Sequence, residues 1–230
     1  MAWSFESDAP LFAAARRDLF VAVVGDVLDR LGYRKQFLPP ELRPIDPGMV
    51  ILGRAMPVLE ADVGSEPHGS RSEAARKPFG VMFEALDDLR PGEIYICAGA
   101  SPRYALWGGL MSVRAMQCGA AGAVLDGYHR DTSEILRLGF AVASTGSYAQ
   151  DQAGRGQVVD WRIPIQIGGV SIRPGDVIYG DRDGVLVVPA ETVAETFEAA
   201  FAKARGENDV LAALQNGMGA AEAFAKFGIM

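Results

Sequence analysis

Apolar residues recur at helical spacing near the start of the chain. In "PLFAAARRDLFVAVVGDVLDRLGY" (10–33), Leu19, Val23, Val27, Leu28 and Leu31 fall on one side. This spacing predicts one or two helices that stop at Gly32. "LPPELRPIDPG" (38–48) is proline-rich and predicts an extended connector. "MVILGRAMPVLEA" (49–61) reads as a strand, and the polar stretch 62–78 as a loop beside the core. Residues 79–100 predict a helix, an "RPGE" turn and a buried strand. Residues 106–120 read as a helix, "AGAVLDG" as a strand, 131–139 as a short helix and 140–145 as a further strand. From 157 to 189 strands alternate with the turns "IGG", "RPGD" and "DRDG", whose glycines suit tight reversals. The tail, 190–228, is amphipathic and alanine-rich, with helix breaks expected near Gly206 and Gly217.

The pattern is α/β in the middle, then mostly β, with helices at both ends. With 230 residues it fits one domain, 1–230, in which 1–37 are N-terminal helices and 190–230 a helical tail. Helix–strand alternation alone would also suit a doubly wound nucleotide fold. The glycines argue otherwise: no G-x-G-x-x-G follows a strand, and "GAAGA" (119–123) leads into a strand.

A net charge of −7 argues against holding nucleic acid or an anionic membrane by bulk electrostatics, though it leaves room for a local basic patch. No apolar run approaches the length of a membrane span, so a soluble, cytoplasmic protein is expected. Cys97 and Cys118 form no C-x-x-C pair and read as free thiols in a reducing compartment.

The chemistry concentrates in "DGYHRD" (126–131), directly after the buried run "GAAGAVL". Ligands of α/β proteins gather at the carboxyl ends of strands. An arginine can clamp a carboxylate through two parallel hydrogen bonds, and an aspartate can ligate a hard divalent cation. Arg130 and Asp131 could together hold a 2-oxo acid and the metal that polarises it. A plainer role is also open: "DTSE" (131–134) suits a capping box, with Asp131 or Thr132 as cap and Glu134 reaching back. His129 alone reads as an exposed loop histidine. Upstream, "SPRYALWGGLMS" (101–112) opens a helix with two glycines, and bare amides at a helix start attract anions.

Together these features resemble the RraA-like superfamily. That family includes the class II 4-hydroxy-4-methyl-2-oxoglutarate/4-carboxy-4-hydroxy-2-oxoadipate aldolases and the ribonuclease-E regulator RraA. "WGGLMSVRAMQCGAAGAVLDGYHRDTSEI" (107–135) carries the family spacing, with the twenty residues 110–129 between Gly109 and Arg130-Asp131. "VVGDVLDRLG" (23–32), "RPGEIYICAGA" (90–100) and 154–189 extend the resemblance along most of the chain. It implies an α-β-β-α sandwich of the swivelling β/β/α type. It also implies a homotrimer, or a dimer of trimers, with active sites between subunits.

Carried over residue by residue, the resemblance assigns Arg130 to the pyruvyl carboxylate and Asp131 to Mg²⁺ or Mn²⁺. The segment Gly109, Leu110 and Met111 would hold the pyruvyl group through backbone amides. Glu207 is the nearest match to a tail glutamate that reaches the neighbouring site. His129 and Tyr128 are bulky where the family commonly has small loop residues, so His129 could contact a different substrate. The implied reaction is retro-aldol cleavage of a 4-hydroxy-2-oxo acid to pyruvate, with oxaloacetate decarboxylation through the same enolate. The aldolases carry an aspartate where this chain has Gly109, and that aspartate orders water at the metal. Asp126, His129, Glu134 and Asp151 are the candidates to replace it. The alternatives are a non-catalytic regulator that binds a ribonuclease, or another enolate chemistry on the same scaffold. All four lysines, Lys35, Lys77, Lys203 and Lys226, read as polar or surface residues, which favours a metal over a Schiff base.

Overall fold

A computed structural model of the chain describes residues 5–63 and 77–228. The expected loop over 62–78 therefore lies mostly outside the described residues. In chain order the elements are α1 (Phe5–Asp18), α2 (Val21–Arg30), β1 (Arg43–Pro44), β2 (Ile51–Asp62), α3 (Met82–Asp87) and β3 (Glu93–Ala98). Next come β4 (Ala105–Trp107), α4 (Gly109–Gln117), β5 (Gly122–Leu125), β6 (Tyr128–His129), α5 (Thr132–Leu138), β7 (Val142–Ser144) and β8 (Gly146–Ser147). The rest is β9 (Gly156–Trp161), β10 (Ile165–Ile167), β11 (Val170–Ile172), β12 (Val177–Asp181), β13 (Gly184–Val188), α6 (Val193–Gln215) and α7 (Ala220–Phe227).

The main sheet runs β1-β7-β5-β3-β2-β12-β13. Strands β2, β3, β5 and β7 are parallel, while β1, β12 and β13 are antiparallel to their neighbours. The long strand β2 organises it. One edge pairs with β3; the other takes β12 along Ile51–Arg54 and β9 along Val58–Asp62. Pro57, which cannot donate to a ladder, falls between those two partners. Strand β2 is buried on both faces through Val58, so its sequence is nearly all apolar rather than alternating; the one charge in that stretch, Arg54, pairs with Asp8. Strand β1 also approaches β12 and β13, which brings the sheet close to a closed barrel.

Inside, Ile51, Ala55, Ile94, Ile96, Val124 and Ile178 meet the β10–β11 hairpin, which plugs the interior. Each of these buried isoleucines and the valine contributes about 1.5–3 kcal/mol. Outside, α3, α4 and α5 cover one stretch of the sheet, with Tyr95, Trp107, Ile135 and Phe140 at the centre of that core. Helices α1, α2 and α6 cover Leu52, Val177, Tyr179, Leu186 and Val188. The layers are helix, sheet wall, sheet wall, helix, as the sandwich expectation requires.

Three strands leave the main sheet and continue into a second, smaller one. Strands β4, β6 and β8 directly follow β3, β5 and β7 and pair in parallel with one another. Two of these units then enter helices, α4 and α5. The sequence shows no repeat, yet the chain makes the same strand–strand turn three times.

Several expectations need correction. Residues 105–107 are a strand rather than the start of a helix, because Ala105 and Trp107 pair with β6. Helix α6 runs through Gly206 unbroken; packing against α2 outweighs the glycine, and the break comes at Gly217, whose φ is +91°. Lys203 is buried rather than exposed. It pairs with Asp26 at 3.0 Å and with Glu207. Burial lowers its pKa, but Glu207 and Asp26 outweigh that and raise it, so the amine stays charged and is no Schiff-base nucleophile. Both cysteines are free; Cys97 is buried and Cys118 half-buried.

Candidate active site

The carboxyl ends of β4, β6 and β8 lie side by side, and the loops beyond them form the site. Backbone hydrogen bonds hold these loops together: Arg130 N donates to Trp107 O at 2.9 Å, Tyr148 N to His129 O at 2.8 Å, and Ala105 N to Gln150 O at 2.8 Å. The sequence places one chemical feature on each loop. Gly108-Gly109 follows β4, Arg130-Asp131 follows β6, and Asp151-Gln152 follows β8.

Asp131 is the pivot. Its backbone is left-handed, with φ 57° and ψ 37°, a conformation that aspartate tolerates better than most residues. That turn aims the carboxylate away from its own helix. The capping box therefore does not form: α5 has no side-chain cap, and Glu134 pairs with Arg137. Asp131 Oδ2 instead accepts a hydrogen bond from Gly109 N at 3.0 Å, across to the start of α4. Gly108 makes this approach possible, since a Cβ there would stand 2.7 Å from Asp131 Oδ2. The following amides, of Leu110 and Met111, belong to the first turn of α4 and have no partner within the helix.

Arg130 lies along the same edge. Its Nε is 4.0 Å from Asp131 Oδ2, and its Nη1 is 3.1 Å from Asp151 Oδ1. Both side chains are about half-exposed, so the guanidinium is pre-aimed yet able to exchange a partner. Arg130 and Asp131 border a cavity of about 250 Å³ walled by Phe79, Met82, Trp107, Leu110 and Met111. Trp107 is locked there: its Nε1 donates to Ser112 Oγ at 2.7 Å, and its ring stacks on Phe140.

The space of the missing aspartate is filled. A Cβ on Gly109 would lie 2.7 Å from Glu134 Cγ and 3.2 Å from Glu134 Cβ. Glu134 is thus the carboxylate whose stem occupies that place, and Asp151 is the one that lines the cavity with Asp131. Asp126 is half-buried beyond β5, where burial and then the charge of Glu41 raise its pKa; it does not line this cavity.

His129 is a different residue from the exposed loop histidine expected. It is 3% exposed, with Nδ1 2.7 Å from Ser144 Oγ and Nε2 2.9 Å from Thr132 Oγ1. The pleat of β6 sends it to the side opposite Arg130, and it lines another recess, with Glu41 and Arg43. Burial lowers its pKa. Glu207 sits on α6, in the helix layer over α2, with its carboxylate tied to Lys203. Within one chain it is not brought to Arg130 and Asp131.

Sequence reasoning missed Gln152, Phe79 and Glu60. Glu60 is 1% exposed, and its Oε2 accepts from Gln152 Nε2 at 2.7 Å behind the cavity wall. Burial pushes its pKa up to about 8, against the hydrogen bond from Gln152. Among the described residues, its Oε1 and the nearby Tyr95 hydroxyl have no hydrogen-bond partner. The only sequence signal was a lone acid closing an apolar strand.

Among the described residues, no group of three or more His, Cys, Asp or Glu could hold a metal. One half-exposed carboxylate, Asp131, suits a hard cation that keeps most of its water and takes remaining ligands from substrate.

A near-closed sheet carries, at the loops beyond β4, β6 and β8, a helix start facing an Arg-Asp pair. The RraA-like family, described as Aldolase/RraA, matches residues 21–187, and the chain belongs to it. The protein DlpA of Legionella pneumophila is 26% identical over 85% of this chain, but that match spans 30% of DlpA. A protein of Albidiferax ferrireducens, provisionally named a 4-hydroxy-4-methyl-2-oxoglutarate aldolase, is 35% identical over 49% of this chain and 65% of its own length. The chain thus covers less than two thirds of these relatives. The crystal structure of Streptomyces coelicolor RraAS2, titled an unusual member of the RNase ES inhibitor RraA family, shares the fold. It has a TM-score of 0.75 at 23% identity, covering 90% of this chain and 98% of that one. No helix among the described residues is long and apolar enough to cross a membrane.

Proposed function

We propose that the protein is a divalent-metal-dependent lyase that cleaves a 4-hydroxy-2-oxo acid to pyruvate by retro-aldol reaction. The observation that carries this reading is the bond from Gly109 N to Asp131 Oδ2, which sets the Arg-Asp pair against the open amides of α4. The name given to the Albidiferax relative supports it.

Arg130 binds the pyruvyl carboxylate in two parallel hydrogen bonds, exchanging its contact with Asp151 for the substrate. The amides of Leu110 and Met111 stabilise the negative charge that develops on the keto oxygen as the C3–C4 bond breaks. Asp131 would hold Mg²⁺ or Mn²⁺, which would supply Lewis-acid polarisation of the 2-oxo group. Asp151, the second carboxylate of the cavity, takes the proton of the C4 hydroxyl. Oxaloacetate passes through the same enolate, so its decarboxylation is a side activity. We also propose a homotrimer or a dimer of trimers, acting in the cytoplasm. In that assembly Glu207 of a neighbouring copy would have to give up Lys203 to reach the site. The exposed apolar side chains on α4, Leu110 at 87%, Val113 and Met116, suit such a contact.

Pyruvate formation from oxaloacetate and 4-hydroxy-2-oxo acids, with Mg²⁺ and then EDTA, tests the reading. The filled space at Gly109 favours a second reading, a non-catalytic regulator of the ribonuclease-binding type. It predicts no turnover of any substrate in that panel.

A further inference from the structure

The cavity beside Arg130 and Asp131 is built for something other than a second carboxylate. Its walls are the rings of Phe79, Phe83 and Trp107 with Met82, Leu110 and Met111. Among the described residues that line it, Arg130 is the one cation, and in the lyase reading the pyruvyl carboxylate claims it. The other charged lining groups, Asp131 and Asp151, repel an anion.

Phe79 adds a second observation. Its φ is 97°, a strained value for a bulky residue. Strand β9 holds it there: Val158 N donates to Phe79 O at 3.1 Å, and Val81 N donates back to Val158 O at 3.0 Å. The ring then meets Phe83 edge-on at 5.7 Å. Such strain persists only where surrounding structure imposes it, and here it sets an aromatic wall into the cavity. A dry apolar cavity of about 150 Å³ can hold benzene, so the volume here, about 250 Å³, has room for a group of that size.

We infer that the substrate carries an uncharged alkyl or aryl group at C4 in place of a second carboxylate, and that Phe79 and Phe83 select it. This rests on the lyase reading above. The reaction breaks the C3–C4 bond and passes the C4 hydroxyl proton to the base. The bonding pair becomes the enolate, which is protonated at C3. The products are pyruvate and an aliphatic or aromatic aldehyde, with no oxidant or reductant required.

The test compares kcat/KM for 4-hydroxy-2-oxo-4-phenylbutanoate with that for 4-hydroxy-4-methyl-2-oxoglutarate, using the full chain with Mg²⁺. The expected ratio is about tenfold or more in favour of the aryl substrate. Phe83→Arg places a cation in the cavity at an exposed position and should cut that ratio at least tenfold. Equal or reversed preference in the wild type, or an unchanged ratio in the variant, overturns the inference. If neither substrate turns over, the lyase reading fails, and binding decides the distal site separately. Phenylpyruvate should then quench tryptophan fluorescence at lower concentration than 2-oxoglutarate; equal or weaker binding overturns it.

Discussion

Replacing Glu60 with glutamine should make the protein's stability less sensitive to pH. Glu60 is almost wholly buried, and its carboxyl is pushed from the ordinary 4.5 up to about 8. In the folded state it holds its proton between those values; in the unfolded state it does not. The folded state therefore binds more protons in that window, and stability falls as pH rises from 4.5 to 8. Below 4.5 both states are protonated and the penalty vanishes; above 8 it is constant. At about 1.36 kcal/mol per pH unit, the gap corresponds to at most about 5 kcal/mol. Glu60→Gln keeps an acceptor for Gln152 and removes the titration. Urea denaturation at pH 5 and pH 8 measures the effect. The variant should be close to wild type at pH 5 and more stable by several kcal/mol at pH 8. Parallel stability curves for the two proteins would refute a buried, neutral Glu60.

Other perturbations test other parts of the structure. Gly109→Asp drives a Cβ into Glu134 and should cost about 1–3 kcal/mol by overpacking; adding Glu134→Ala should recover most of it. A single variant as stable as the double would show the space is open. His129→Leu leaves the Thr132 hydroxyl without its ring partner and weakens the hold on Ser144, at a cost of about 1–3 kcal/mol in chemical denaturation. Pyruvate binding should survive, because the ring faces away from Arg130. The lowered pKa of His129 also predicts a loss of stability as pH falls below 6.5, where the unfolded chain takes up the proton first. Arg162→Ala strips Glu93, 2% exposed, of its ion pair at 2.7 Å and should cost about 3–5 kcal/mol.

The parts of the fold that were legible in the sequence are those whose pattern outlasts one turn. Strands β2, β3 and β5 are predominantly apolar runs because both faces are buried, and α2 carries a clear apolar stripe. Strands β4, β6 and β8 are two or three residues long, too short for any period, so Trp107 was assigned to the following helix. The Arg130-Asp131 pair was legible through its distance from Gly109. Its mode of action was not. "DTSE" has the composition of a capping box, and only the left-handed backbone of Asp131 turns the carboxylate to α4. His129 looked like a polar loop residue because nothing local shows that Ser144, from another unit, closes over it. Gln152 and Phe79 enter the site through β8 and β9 pairing, a long-range event that leaves no local mark.

The central claim is that Asp131 and Arg130 carry a metal-dependent cleavage that releases pyruvate. Pyruvate release from oxaloacetate and a panel of 4-hydroxy-2-oxo acids, by wild type and Asp131→Ala, tests it most directly. The wild type should require Mg²⁺ or Mn²⁺ and stop in EDTA, and the variant should lose at least about a hundredfold in kcat/KM. Unchanged turnover in Asp131→Ala, or activity that survives EDTA, would contradict the account.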